Sequence, residues 1–253
     1  MEDDPGAIEQ IGIEDLASAD RLAEIWASGR HLYWSMDWSA DLYLALVRAG
    51  FITTACDLGR NIRLLIPEIQ KAYAVLDWEN LHVSRSLRRW MRSEGCRDQG
   101  YELVVGYDLP EVIQGVRRCH GEASWLIEPY GKLLEELQTS GGPDFEVMAI
   151  GLVDRERQLI AGEIGYRYGS SYTSLTGFSD CSRRNTGKLQ LFKLAEYLRD
   201  AGFAFWNLGH PHMPYKTELG ARIVGRAEFL KRWWTAGESP RQGRNLRERR
   251  NGA

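Results

Sequence analysis

Apolar residues recur at helical spacing in two stretches near the start of the chain. The first stretch predicts a helix over residues 12–29. The second predicts a helix over residues 40–49, for which Ser39 is a candidate N-cap. Together with a short extended segment over residues 62–66, these helices predict a small, mostly helical N-terminal domain that comprises residues 1–70.

From residue 71 onward, apolar runs typical of strands alternate with apolar stripes typical of helices. The expected strands cover residues 72–76, 101–107, 145–153, 159–168, 172–176, 203–208 and 222–224. The expected helices begin after Ser84 or Ser86, at Asp108 and at Pro129, and two more cover residues 188–200 and 226–235. Three consecutive strands that form a meander, followed by a helix and a further strand, predict an α+β layered domain over residues 71–236.

The composition sets limits on this picture. With 253 residues, of which 43% are hydrophobic, the chain can form a real core, and no apolar run is long enough to span a membrane. The four cysteines are scattered, which indicates reduced thiols in a cytoplasmic protein, and the acidic start does not resemble a secretory signal. The net charge of −3 argues against a protein that wraps long nucleic acid. The arginine-rich tail over residues 237–253 is basic, and we expect it to be disordered.

A basic helix start is the most informative local feature. After Leu81-His82-Val83-Ser84, three arginines, Arg85, Arg88 and Arg89, fall in the first two helical turns. Cations at this positive helix end cost about 0.3–1 kcal/mol each, and the alternatives are a functional basic surface and a plain solvated face. The segment resembles the leucyl/phenylalanyl-tRNA–protein transferase family, which has a Leu-His-Ile-Ser-Arg-Ser run, and the resemblance implies that this surface contacts phosphates at the acceptor end of a charged tRNA.

Further segments extend the resemblance over roughly residues 33–235. The matching segments are Asp37-Trp38-Ser39, Val112-Ile113-Gln114-Gly115, Ser124-Trp125-Leu126-Ile127, Leu159-Ile160-Ala161-Gly162 and Leu219-Gly220-Ala221. The order of elements also resembles the Gcn5-related N-acetyltransferase topology, in which a sheet splays to admit an acyl donor. By this resemblance, we expect a small N-terminal domain followed by an acetyltransferase-like layered α/β domain.

An apolar side chain carried by tRNA needs an apolar slot, and a tryptophan supplies large contact area at low entropic cost. By matching position, Trp125 resembles the family's pocket tryptophan, and we expect Ile164, Leu175 and Phe178 near it. The alternative is that Trp125 is a plain core residue, since the chain has nine tryptophans.

The start of the helix at 188–200 can bind an anion such as a phosphate of the terminal adenosine. The candidate residues are Ser182, Arg183, Asn185 and Lys188. An ordinary capped helix start is the alternative. An acetyl-CoA enzyme needs a small residue where Leu189 stands, because a branched side chain would intrude on the cofactor, so the sequence argues against coenzyme A.

The chain departs from the family where protons are handled. The family's Asp-Cys-Gln aligns with Asn207-Leu208-Gly209, and an amide is no base at neutral pH. Either the proton leaves by another route, or the acceptor differs, or Asn207 inactivates the enzyme. Candidate substitutes are Glu163, Asp180 and His210, each of which also suits a solvated or capping role.

The resemblance implies an aminoacyltransferase that moves a Leu- or Phe-type residue from tRNA to a free amine by direct attack on the ester. The implied acceptor is an N-terminal Arg or Lys of a protein that is destined for degradation, with Glu163, Asp180 and Glu218 as candidate partners of that cation. The alternatives are an acyl-CoA N-acyltransferase, or a module that binds a tRNA end or a protein N-terminus without turnover. We expect a monomer that uses no cofactor. We also expect no metal site, because His210 and His212 lack a third ligand nearby.

Overall fold

The computed structural model describes residues 8–239, and its main feature is a seven-stranded mixed sheet. The strands, in chain order, are β1 (Glu9–Gln10), β2 (Tyr33–Trp34), β3 (Ile52–Asp57), β4 (Arg63–Glu68), β5 (Ala72–Leu76), β6 (Glu102–Val105), β7 (Phe145–Val153), β8 (Leu159–Tyr168), β9 (Ser171–Ser179), β10 (Phe205–Asn207) and β11 (Arg222–Gly225). The large sheet has the order β11-β5-β10-β9-β8-β7-β6, and β1-β2 and β3-β4 form two small sheets.

Ten α-helices within the described residues surround the sheet. They are α1 (Ile13–Ala17), α2 (Ala19–Ala27), α3 (Ala40–Arg48), α4 (Arg85–Met91), α5 (Glu94–Asp98), α6 (Leu109–His120), α7 (Glu128–Ser140), α8 (Thr186–Asp200), α9 (Pro214–Glu218) and α10 (Arg226–Glu238). None of them is long and apolar enough to cross a membrane. Layers of helix on both faces of a sheet confirm the prediction of a mixed α and β fold.

The predicted meander is confirmed. Strand β8 pairs antiparallel with both β7 and β9, and β10 then joins β9 in parallel after the α8 crossover. The predicted caps Ser39 and Asp108 each accept a hydrogen bond from the backbone of their own helix, from Leu42 and Glu111 respectively. Of the two candidate caps before α4, Ser84 takes the position and accepts from the backbone N–H of Leu87.

The sequence prediction was wrong in three local details. The single helix expected over residues 12–29 is two helices, because Ser18 leaves the helical conformation and caps α2. The strand Ile52–Asp57 was missed, since its inward positions carry the small residues Thr53 and Ala55 rather than large apolar ones. Helices α5 and α9 have five residues each, too few for a periodic pattern to show.

The N-terminal elements pack on the same face of the sheet as α6, α7 and α10. One hydrophobic core there includes Tyr43, Phe51, Ile164 and Trp233, while a second core lies between the sheet and α8. The guanidinium of Arg226, at the start of α10, donates to five backbone carbonyls of the N-terminal half, those of Trp26, Ser28, Arg30, Ile69 and Gln70. The acidic start at residues 1–7 and the tail from residue 240 lie outside the described residues.

Candidate active site

Strands β9 and β10 separate in the middle of the sheet. They pair only from Phe205↔Ser171 to Asn207↔Thr173. Beyond that point the chain that follows β10 stays with β5, through the bonds of Leu208 and Gly209 with Ala74. Strand β9 continues alone on this side to Ser179, and its residues from Ser174 onward are only half-buried. Among the described strands, this separation leaves a gap beside β9 from Ser174 onward, which is the candidate site of substrate entry.

A bulge lies at the same point. Ile164 pairs with Thr176 and Gly165 with Ser174, so Leu175 is an extra residue in β9. A bulge re-aims side chains and bends the strand, and such irregularities are common beside active sites. A side chain at Gly165 would collide with Tyr172 and Thr173, which explains why glycine stands opposite the bulge.

The residues predicted for the donor pocket share one face of the sheet. Trp125, Leu175 and Phe178 pack, partly exposed, against the core that contains Ile164. The ring of Phe178 fills the space beside Gly115 and Gly162, where a side chain would clash with it. The half-buried state of Trp125 is compatible with a pocket wall, because the indole is supported on one side and accessible on the other.

Glu163 lies on the opposite face of the sheet from these apolar residues. Successive strand residues point to opposite faces, and Glu163 is directly followed by Ile164. Its carboxylate accepts hydrogen bonds from the hydroxyls of Tyr172, at 3.0 Å, and of Ser174. Burial raises the pKa of Glu163 to about 7, although these two bonds and the nearby charge of Lys216 favour the ionised form.

Lys216 was not predicted as a site residue. It projects from α9, is only 4% exposed, and donates from Nζ to the carbonyl of His210 at 2.7 Å. Burial lowers its pKa to about 8, against the opposing effect of Glu163. A carboxylate and an ammonium that both titrate near neutrality are typical of functional sites. Glu163 was predicted from the sequence, whereas Lys216 was not, because α9 itself was missed.

Asn207 is fully buried at the point where the two strands separate. Its Nδ2 donates to the hydroxyl of Thr173 at 3.2 Å, and its Oδ1 accepts from the backbone N–H of Gly209 at 3.0 Å. Gly209 has φ +75°, a conformation that favours glycine. Both ends of the amide are therefore engaged in holding the chain where it turns away from β9.

The arginines predicted to contact tRNA line the exposed side of α4. Arg85, Arg88 and Arg89 are all exposed, and Nε of Arg88 donates to the carbonyl of Val83. The half-buried Trp90 and the buried Leu87 face inward, so the helix presents its charge to solvent.

The loop before α8 is largely satisfied by its own contacts. Asp180 accepts from the backbone and hydroxyl of Ser182, and these bonds lower the pKa of Asp180. Arg183 forms an ion pair with Asp154 at 2.9 Å. Asn185 adopts φ +66° and makes no side-chain cap.

Two residues predicted for different ligands meet each other in the structure. Lys188, predicted to contact tRNA, lies 3.4 Å from Glu218, predicted to contact the acceptor, and both are exposed. Leu189 is buried against Leu152 and Ala161. It therefore faces the sheet, and the expectation that its side chain projects towards a cofactor is not supported.

Comparison with known sequences points to one family. A family model described as leucyl/phenylalanyl-tRNA protein transferase matches residues 75–233. Leucyl/phenylalanyl-tRNA–protein transferases from Paracoccus denitrificans and Pseudomonas paraeruginosa are 27% and 31% identical over 158 and 161 residues, 62% and 61% of this chain. That from Rubrobacter xylanophilus is 29% identical over 63% of the chain. The aligned regions span 68%, 65% and 76% of these three relatives, about two thirds of the first two.

Solved structures resemble the chain only loosely. The structure of L-PGS from Bacillus licheniformis has a TM-score of 0.44 at 13% identity, over 66% of this chain and 65% of that one. A GCN5-related N-acetyltransferase from Kribbella flavida has a TM-score of 0.36 at 13% identity, over 85% and 77% of the two chains. Likenesses of this size do not bear on function.

Proposed function

The chain belongs to the leucyl/phenylalanyl-tRNA protein transferase family, and we propose that it transfers an apolar amino acid from aminoacyl-tRNA to the free amine of a protein N-terminus. The match to the family over residues 75–233 carries this proposal. That range includes both strands of the gap, the bulge at Leu175 and the helix that bears Lys216.

The donor side of the proposal is supported by the apolar face of the sheet. Trp125, Leu175 and Phe178 are partly exposed and pack against the buried Ile164, and this apolar surface suits a leucyl or phenylalanyl side chain. A charged or strongly polar side chain would lose its hydration there without gaining a partner.

The RNA side is supported by the exposed arginines of α4. A short basic face neutralises a few phosphates, which fits a protein of net charge −3 that holds only the end of a tRNA. We include Ser182, Arg183, Asn185 and Lys188 in this proposal, because they precede or open α8 at the end of the gap.

For the acceptor we propose an N-terminal Arg or Lys, with Glu218 and Asp180 as partners of its cationic side chain. Both carboxylates lie near the start of α8 and at least partly exposed. An incoming cation would have to replace Lys188 beside Glu218, a surface pair of small worth. We further propose that the protein acts as a monomer in the cytoplasm, where charged tRNA is available.

The reaction requires little beyond positioning. An aminoacyl ester is already activated, and an α-amino group with a pKa of about 7.7–8.0 is substantially neutral near pH 7.5. Holding the amine against the ester can supply about 7–11 kcal/mol of the barrier reduction. No covalent enzyme intermediate is needed for direct attack.

The test is a transfer assay with labelled leucyl- and phenylalanyl-tRNA and a peptide that begins with Arg. We expect label to move to this peptide and not to a matched peptide that begins with Asp. Retention of the tRNA without transfer would indicate a binding module, and acetylation of the peptide from acetyl-CoA would indicate the acyl-CoA alternative. Either result would contradict the proposal.

A further inference from the structure

Ser174 occupies the first position of β9 that no longer has β10 beside it. The last paired residue is Thr173, and the bulged Leu175 follows directly. Ser174 is half-buried whereas Thr173 before it is fully buried, so β9 leaves the closed core at this residue. No motif drew attention to this serine.

The hydrogen bonds of Ser174 have a defined direction. The indole Nε1 of Trp206 lies 2.8 Å from its Oγ, and an indole N–H can only donate. The hydroxyl proton of Ser174 is therefore directed to the carboxylate of Glu163, which can only accept when ionised. This leaves one lone pair of the serine oxygen for an additional donor, such as the N–H of an amine that enters the gap.

Glu163 accepts hydrogen bonds from two hydroxyl groups. Tyr172 donates to the same carboxylate oxygen as Ser174, at 3.0 Å, and Glu163 itself is only 4% exposed. The buried ammonium of Lys216 supplies the opposite charge. Tyr215 of α9 faces Glu163, and His210 of the preceding loop faces Lys216. His212 lies beside His210, with the two ring centroids 5.4 Å apart.

We infer that Ser174 and Glu163 form a proton relay for aminoacyl transfer, that Trp206 orients the relay, and that Lys216 positions its charge. This inference rests on the proposed function and identifies residues that serve the same site. The reacting ester would lie in the gap, with its apolar side chain on the face of Trp125 and the incoming amine on the face of Ser174. Ser174 and Leu175 are consecutive at the bulge, so the residues that serve the amine and the apolar side chain are neighbours in β9.

The proton balance of the step is simple. The amine nitrogen attacks the ester carbonyl carbon, and one N–H proton passes to Oγ of Ser174 while the serine proton passes to Glu163. The bond between the carbonyl carbon and the ribose oxygen then breaks. The proton on Glu163 returns through Ser174 to that oxygen, which leaves an amide, a free tRNA hydroxyl and the relay in its starting state.

The structure favours this relay over Asn207 for the same task. The amide of Asn207 cannot take up a proton at neutral pH, and both of its ends are engaged with Thr173 and Gly209. The carboxyl of Glu163, whose pKa is raised to about 7, can both accept and return a proton near neutrality.

The test compares single-turnover transfer by the parent protein with that of Ser174→Ala, Ser174→Thr, Glu163→Gln and Lys216→Met. The matched control is Ser170→Ala, in the turn directly before β9, which removes a hydroxyl that donates to the carbonyl of Ala236 in α10. Thermal unfolding of each variant shows whether it is folded. General-base catalysis contributes typically 10²–10⁴-fold, so we expect Ser174→Ala and Glu163→Gln to slow kcat by at least about 100-fold. The KM for charged tRNA should stay near that of the parent, and Ser174→Thr should restore most of the rate.

The pH profile separates a relay from a merely structural role. We expect an acidic limb near pH 7 in the parent and no such limb in the residual activity of Glu163→Gln. In Lys216→Met the limb should move to higher pH, because loss of the cation disfavours the carboxylate. The relay is wrong if folded Ser174→Ala transfers within threefold of the parent, or if the limb is unchanged in Glu163→Gln. A parent protein that transfers nothing from tRNA refutes the proposed function and the relay together, whereas normal transfer by the relay variants refutes the relay alone.

Discussion

The rings of Trp125 and Tyr130 meet edge to face, with their centroids 5.0 Å apart. Tyr130 is fully buried, and its hydroxyl donates to the carbonyl of Thr53 in β3 at 2.6 Å. The same hydroxyl lies 2.9 Å from that of Tyr43 in α3. The wall of the proposed donor pocket is therefore anchored on the N-terminal elements, although the pocket itself lies within the region that matches the family.

We expect Trp125→Ala to reduce kcat/KM for phenylalanyl-tRNA by roughly 10- to 200-fold, which is the usual contribution of a contact in an apolar pocket to specificity. Trp125→Phe keeps an aromatic ring against Tyr130 and should retain much more activity. Steady-state transfer assays measure both. The effect belongs to the pocket if the melting temperature of the alanine variant stays close to that of the parent, and equal activity of the alanine variant and the parent would show that Trp125 is only a core residue.

Tyr130→Phe should lower the free energy of unfolding by about 1–3 kcal/mol, because it leaves the buried carbonyl of Thr53 without its donor. Tyr43→Phe is the matched control. It removes a hydroxyl that bonds only Tyr130, so Tyr130 can still donate to Thr53, and its cost should be smaller. Urea unfolding of both variants decides the order, and a larger loss in Tyr43→Phe would contradict this account.

The elements of the fold that are long and periodic could be predicted from the sequence. The meander of β7, β8 and β9 was visible because long apolar runs are separated by a polar turn and by glycine. Helices α6 and α8 were visible because their apolar stripes repeat over 12 and 15 residues. The strand β3 could not be predicted, because its small inward side chains give no apolar pattern. Its conformation depends on pairing with β4, which the local sequence does not show.

Asn207→Asp, which restores the residue that the family resemblance implies, should not accelerate transfer. The new carboxyl would be fully buried and would lose the donor to Thr173. Burial disfavours the charged form, so its pKa in the folded protein would exceed the unfolded value, and stability relative to the parent would fall as pH rises through that interval. We expect a loss of about 1–3 kcal/mol at pH 7.5 and a smaller loss at pH 5, measured by urea unfolding. A faster variant would show that Asn207 limits the rate.

The exposed arginines of α4 should affect RNA affinity and its dependence on salt. For Arg85→Ala and Arg89→Ala we expect weaker binding of charged tRNA, with the slope of log K against log salt reduced by about one for each phosphate that the variant no longer neutralises. Arg199→Ala at the far end of α8, where Arg199 pairs with Asp200, is the control and should change neither quantity. Filter binding at several salt concentrations measures the slope, and an unchanged slope in both α4 variants would exclude this helix from the RNA surface.

The candidate site could be predicted only in part. Trp125 and Glu163 could be named because one belongs to a family-like segment and the other is a charge within an apolar strand. Ser174 could not, because its importance comes from the end of β10 pairing and from the direction of a single indole N–H. Lys216 could not, because a lysine in a short polar segment gives no sign that its ammonium is buried.

The buried charges of Glu163 and Lys216 should together lower the stability of the fold most between pH 7 and pH 8. The pKa of Glu163 is raised from 4.5 to about 7, so the folded protein binds more protons than the unfolded chain between those two values and loses stability as pH rises from one to the other. The pKa of Lys216 is lowered from 10.5 to about 8, so the cost of its charge is present below pH 8 and disappears as pH rises towards 10.5. Both costs are present together only between the two folded values.

The double variant Glu163→Gln with Lys216→Met removes both charges while keeping side chains of similar size. Burying a charge costs free energy that neutral groups of similar size avoid, so we expect the double variant to be about 1–4 kcal/mol more stable than the parent at pH 7.5. The gain should be smaller at pH 5 and at pH 10, where one of the two costs is absent from the parent. Urea unfolding at the three pH values measures it. If the double variant is less stable than the parent at pH 7.5, the pair stabilises the fold, and its burial needs no functional explanation. If it is more stable but inactive, the chain retains two buried charges that folding disfavours and transfer requires.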